Sequence, residues 1–138
     1  MPLNADQDIA DLLRTAKTIA MVGASDRPDR PSHGVMRFLL SRGYKVIPVN
    51  PQLAGQQIHG QAVVATLAEL HGPIDIVDIF RNSTAAGPVI DEAIAAGAKA
   101  VWTQLGVFND EAVSRAEAAG LKAVVNRCPA IEIPRLGL

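Results

Sequence analysis

Short apolar runs alternate with amphipathic stretches along most of this chain. Asp6–Arg14 sets Ile9, Leu12 and Leu13 at helical spacing behind early acids, the pattern of a short amphipathic helix. Thr18–Val22 (TIAMV) is an unbroken apolar run closed by Gly23 and reads as a buried strand. Ser32–Ser41 reads as a helix stopped by Gly43, and Lys45–Val49 (KVIPV) as a second strand ending at Asn50-Pro51. Pro48 inside that strand predicts less regular pairing. Residues 52–73 carry Gly55, Gly60, Gly72 and Pro73, the marks of loops, with one helical turn over Thr66–Leu70. Ile74–Phe80 (IDIVDIF) is a third strand. Ala85–Ala96 follows as a helix, with Ser83 or Thr84 as its cap and Gly97 as its stop. Lys99–Gln104 is a fourth strand, Asn109 or Asp110 opens a helix to Ala119, and Leu121–Val125 is a fifth strand. The tail CPAIEIPRLGL reads as a turn and an ordered extension. No internal repeat or low-complexity tract interrupts this order.

Strands separated by helical connections imply βαβ units, hence an α/β, Rossmann-like, doubly wound parallel sheet of five strands. Right-handed crossovers favour the order 3-2-1-4-5. A length of 138 residues suits one domain over 1–138. Aromatics are only 4% against 49% hydrophobic residues, so the core is aliphatic, as Ala-rich helices on β-branched strands require. The net charge of −1 supplies no basic footprint for nucleic acid and no cationic face for a membrane. The single cysteine, Cys128, excludes an internal disulfide and fits a reducing, cytoplasmic setting. The acidic N-terminus has no apolar run of signal-peptide length, and no stretch has the length of a membrane span.

Ligands of such sheets bind beyond the carboxyl ends of the strands. That rule nominates Gly23-Ala24-Ser25, Asn50-Pro51, Phe80-Arg81, Gln104-Leu105-Gly106 and Asn126-Arg127-Cys128. Gly23 allows backbone to approach a phosphate, Ser25 offers a hydroxyl, and the next helix points N–H groups and its dipole at an anion. Arg27 and Arg30 lie in the same loop. A plain strand-to-helix turn would also ask for glycine here. The spacing departs from the dinucleotide fingerprint, because Pro28 and Pro31 intervene before Gly34. Asn50-Pro51 also stands where an acid usually holds a ribose diol, which argues against NAD.

No catalytic constellation is visible. His33, His59 and His71 lack metal-ligand spacing. Asp75 and Asp78, three apart on a strand, face opposite sides. Asp75 is read as structural, and Asp78 as a candidate for the border of the site. Trp102, in mid-strand, reads as core, and Cys128 is placed near the mouth of the cleft.

VGAS (22–25), GYKVIPVNP (43–51), IDIVDIFR (74–81), AGAKAVWTQLGV (96–107) and AGLKAVVNRCPAIEIPRL (119–136) resemble, in this order, the small CoA-binding protein family. That family is similar to the N-terminal CoA-binding domain of the succinyl-CoA synthetase α subunit. The resemblance implies a Rossmann-like fold that holds coenzyme A. Gly23, Ala24 and Ser25 would meet the diphosphate. Asn50 and Pro51 would line the nucleotide end, with Phe80 and Arg81 closing over it. Gln104, Leu105 and Gly106 would border the pantetheine path. Arg27, Arg30, Lys45 and Arg81 are the candidates for the 3′-phosphate. In the synthetase a phosphorylated histidine of a further domain does the chemistry, so CoA binding without catalysis is the expectation here. Three alternatives stay open: an NAD(P)-binding redox sensor or oxidoreductase fragment, an accessory subunit of an acyl-CoA enzyme, and an interaction module with a vestigial pocket.

Overall fold

The computed structural model describes residues 1–138. α1 (Asp6–Thr15) leads into β1 (Thr18–Val22), α2 (Pro31–Ser41) and β2 (Lys45–Val49). A small antiparallel hairpin, β3 (Gln57–Ile58) and β4 (Gln61–Ala62), and a 3-10 turn over Leu67–Glu69 precede β5 (Ile76–Ile79). Then come α3 (Ser83–Ala95), β6 (Ala100–Thr103), α4 (Asp110–Ala118), β7 (Lys122–Val124) and α5 (Pro129–Arg135). No helix is long and apolar enough to cross a membrane.

The main sheet is parallel, in the order β2-β1-β5-β6-β7. The α/β doubly wound class is as expected, but the strand order is not. Counted over the five sheet strands, it is 2-1-3-4-5 rather than 3-2-1-4-5. Pro48 supplies a reason. Its carbonyl faces away from β1 and accepts from the Val64 N–H at 3.1 Å, so the N–H that proline lacks would also have pointed outward. β2 therefore pairs with β1 in full register, against the expected irregularity, while its outer edge takes only a single parallel bridge, Val49 to Val64. The third strand instead joins the free side of β1, with Ile19 opposite Ile76.

Apolar side chains fill both faces of the sheet. On one face Ile9, Leu13, Met36, Leu39 and Ile133, from α1, α2 and α5, pack on Ile19, Met21 and Trp102. On the other, Ala86, Val89, Ile90, Ala93 and Val113, from α3 and α4, pack on Ala20, Val77, Ile79 and Val101. Trp102 is fully buried and donates from Nε1 to the Arg127 carbonyl at 2.7 Å, which confirms it as core.

Three local readings are corrected. The cap of α3 is Asn82, whose Oδ1 accepts from the Ala85 N–H at 2.8 Å. Ser83 Oγ instead accepts from the Phe108 N–H, tying α3 to the loop after β6. The hairpin β3–β4 turns at His59-Gly60, both at positive φ, the geometry of a tight primed turn that histidine does not advertise. The tail is a helix, despite two prolines. Pro129 stands at its first position, where no N–H is missed. Glu132 accepts from Arg127 and Arg135, and Arg135 reaches back to Asp6 of α1.

Asp75 is structural, as read. Its Oδ2 accepts from the N–H groups of Lys17 and Thr18 at 2.8 and 3.0 Å, and Lys99 pairs with Oδ1 at 3.2 Å. Burial alone would raise its pKa, but the two N–H bonds and Lys99 outweigh it and hold the carboxyl below its usual value. A lowered folded pKa means that this stabilisation is present above the ordinary aspartate range and is lost as pH falls through the folded value. Asp75→Ala is expected to cost about 2 kcal/mol at neutral pH, because it strands two N–H donors. Urea denaturation at neutral pH and at about pH 3 checks this: the gap between variant and wild type should narrow in acid. A gap independent of pH would refute it.

Candidate functional site

At the carboxyl edge of the sheet β1 and β5 part company. The chain leaves β1 toward α2 on one face and leaves β5 toward α3 on the other. A crevice at such a divergence is the usual ligand position in doubly wound sheets. Here it holds two cavities, one on each side. The first, about 600 Å³, lies on the α3 side and is lined by Val22, Val49, Pro51, Pro88, Val89 and Glu92 among others. The second, about 700 Å³, lies on the α2 and α5 side, with Ala24, Val35, Leu53, Gln104, Leu105 and Cys128 in its wall. Gly23, Asn50, Gln52, Phe80 and Arg81 line both.

Gly23 is dictated by the scaffold. Its φ is +90°, and a Cβ there would sit 2.3 Å from the Phe80 carbonyl oxygen. The stem of Arg81 crosses the same spot, 3.1 Å from that Cβ position. Asn50 braces the loop that follows. Its Nδ2 donates to the Ala24 carbonyl at 2.9 Å, while its Oδ1 accepts from the Gln52 N–H at 2.9 Å. Both ends of the amide are thereby engaged, one tying the loop after β2 to the loop after β1 and the other closing a turn within its own loop. Ser25 Oγ accepts from the Arg27 N–H, which leaves its hydroxyl hydrogen free to donate. Arg30, the N-cap of α2, makes no side-chain capping bond, and Pro31 and Ser32 beside it line the second cavity. The opening end of α2 therefore presents its dipole to this cavity.

The charges around the crevice lean positive. Arg27, Arg30 and Arg81 line the second cavity. Arg27 is held by Asp29 at 3.8 Å, whereas Arg30 and Arg81 have no ion-pair partner. Two acids are also present: Asp26 in the second cavity and Glu92 in the first. Sequence reasoning missed Glu92, because it comes from α3 and no acid stands near residue 50 in the chain. Lys45 is corrected. It begins β2, opposite Thr18, at the far end of the sheet, four residues and about 13 Å before the crevice.

Of the remaining nominated residues, Pro51 lines the first cavity, and Gln104 and Leu105 the second. Gly106 lines neither; its N–H donates to Asn126 Oδ1 at 2.8 Å, which pins one loop to the next. Cys128 is 7% exposed and faces the second cavity, so its placement near the cleft holds. Asp78 is fully buried, one residue-pair below Phe80 on the same strand face. Both its oxygens lack hydrogen-bond partners, and burial pushes its pKa well above the usual aspartate value. His33 and His59 pack on each other, with ring centroids 4.1 Å apart, outside both cavity walls.

Comparison with known proteins gives these features a context. Residues 17–134 match the family described as CoA binding domain. The Bacillus subtilis (strain 168) protein YneT is 39% identical over 121 residues, 88% of each chain. A solved protein from Pyrococcus horikoshii OT3 superposes with a TM-score of 0.93 at 37% identity, over 100% of this chain and 97% of that one. A dinucleotide-forming acetyl-coenzyme A synthetase from Ca. Korarchaeum cryptofilum, solved with phosphate and ADP, matches with a TM-score of 0.68 at 28% identity. That match covers 82% of this chain and 26% of the synthetase. Matched over most of its length, with the crevice at its sheet edge, the chain belongs to the CoA binding domain family.

Proposed function

We propose that the whole chain acts as one unit that binds coenzyme A, or an acyl-CoA, across the carboxyl edge of its sheet. The nucleoside end lies in the first cavity, by Asn50 and Pro51. The diphosphate crosses at Gly23-Ala24-Ser25, where Arg27, Arg30 and Arg81 meet its charge. The pantetheine arm follows the second cavity past Gln104 and Leu105. The observation that carries this reading is the pair of cavities meeting over Gly23, with the unpaired Arg81 lining both and the unpaired Arg30 lining the second. A long, bent ligand with a polyanionic middle fits that arrangement. Family membership supports the ligand class. The acetyl-coenzyme A synthetase, of which this chain spans about a quarter, supports an accessory role beside a larger acyl-CoA enzyme.

Glu92 favours one rival. A carboxylate in the first cavity could hold a ribose diol, as NAD would need. Native mass spectrometry of the purified protein, followed by denaturation, should release CoA. Titration calorimetry should rank CoA above dephospho-CoA, and dephospho-CoA at or above NAD. NAD binding tighter than CoA would move the assignment to a redox sensor. The chain itself is read as non-catalytic and cytoplasmic. Neither cavity pairs Cys128 or a serine with a histidine base. Acyl-CoA incubated with the protein should stay intact. Hydrolysis that survives purification and disappears in Cys128→Ala would overturn this part of the reading.

A further inference from the structure

We propose that Asp78 and Gln104 form a polar well beneath the floor of the second cavity that receives a secondary amide of the ligand's arm, an inference that rests on the CoA reading above. Asp78 stands on the central strand β5, opposite Met21 on one side and Trp102 on the other, both fully buried. Neither carboxyl oxygen has a partner, and neither has Oε1 of Gln104, a residue 8% exposed. Buried polar groups in folded proteins are almost always paired, so three orphaned oxygens on two residues of neighbouring strands call for a missing partner.

The sheet brings the two residues together. Side chains alternate along a strand, so Asp78 shares its face with Phe80, and Gln104 shares that face with Trp102. Phe80 and Gln104 both line the second cavity, which places Asp78 one layer beneath its floor and diagonal to Gln104. Asp78 itself lines neither cavity, so the proposal includes a turn of the Phe80 or Gln104 side chain that opens the way to it. The chemistry of the well is specific. No cation offsets the burial of Asp78, which pushes its pKa well above the usual aspartate value and favours the protonated carboxyl, an O–H donor. Gln104 Oε1 is an acceptor. A secondary amide matches both: its carbonyl accepts from Asp78 and its N–H donates to Gln104. A plain core would use Val or Leu at position 78 and be more stable for it.

The experiment compares CoA with 3′-phospho-ADP, which keeps the nucleotide and lacks the arm. Asp78→Val should raise the thermal midpoint, because an orphaned acid is removed. It should also weaken CoA by about tenfold while leaving 3′-phospho-ADP unchanged. Gln104→Leu should repeat the selective loss. Asp78→Asn, closest in volume, covers the case in which the valine variant fails to fold, and should show an intermediate loss. In wild type, the infrared band of a protonated carboxyl should shift on adding CoA and stay put with 3′-phospho-ADP. Equal losses for both ligands, or a stabilised Asp78→Val with unchanged CoA affinity, would overturn the well and leave the CoA reading standing. A wild-type protein that binds neither ligand would overturn both.

Discussion

Gly23→Ala is expected to lose more than about 4 kcal/mol of folding stability, a size reserved for backbone or core disruption. The new methyl carbon would lie 2.3 Å from the Phe80 carbonyl oxygen and 2.9 Å from its carbon, both backbone atoms of the neighbouring strand connection. It can be accommodated only by prising β1 from β5 at the crevice. The residue also sits at φ +90°, which an L side chain adopts at a cost of about 1–2 kcal/mol. Gly43 provides the control: its φ is +91°, and nothing lies within 4 Å of a Cβ there. Gly43→Ala should therefore show the conformational cost alone, about 1–2 kcal/mol. Thermal denaturation of both variants separates the two effects, and Gly23→Ala should lower the midpoint by roughly 15 °C or more. Equal shifts in the two variants would show that the close approach to Phe80 is relieved at no cost. The glycine at this turn thus has a sufficient structural cause, and loss of ligand in Gly23→Ala would not by itself show a phosphate contact.

Asn50→Asp is expected to weaken CoA by at least about tenfold, from two separable causes. It removes the Nδ2 bond to the Ala24 carbonyl and sets a carboxylate oxygen against that carbonyl, loosening the loop. It also adds negative charge on the rim shared by both cavities, where a like-charge contact costs about 1–4 kcal/mol. Asn50→Ala removes the brace and adds no charge. Calorimetry with the alanine variant should show similar losses for CoA, dephospho-CoA and NAD. The aspartate variant should add a further loss that is larger for CoA than for dephospho-CoA. If the aspartate penalty is the same for both, the 3′-phosphate lies elsewhere on the crevice.

The difference between Asn50 and Glu92 shows where reading the chain by segments reaches its limit. Asn50-Pro51 is recognisable in the chain as the end of a strand, and the absence of a nearby acid argues against NAD. In the folded chain Asn50 spends both ends of its amide on Ala24 and Gln52, and an acid reaches the first cavity from α3. Lys45 errs in the opposite direction: near Asn50 in sequence, it is a strand's length away in space. The position of Asp78 near the end of its strand suggests the border of the site, but its complete burial and its orphaned oxygens depend on what packs against its face.

The alternation of strands and helices, the aliphatic core and the positions of the crevice loops are all legible in the chain. Those follow from local causes: apolar period, caps and glycines at turns. β1 and β2 run over the same residues that the apolar runs marked, Thr18–Val22 and Lys45–Val49. Long-range packing decided that the third strand joins β1 and leaves Pro48 on an outer edge. It also decided that the proline-rich tail closes as a helix on Asp6 and Arg127, and that Glu92 faces the first cavity. Each of these depends on which surfaces remain free after neighbouring elements have packed, and partners far apart in the chain leave no local pattern by which to read that.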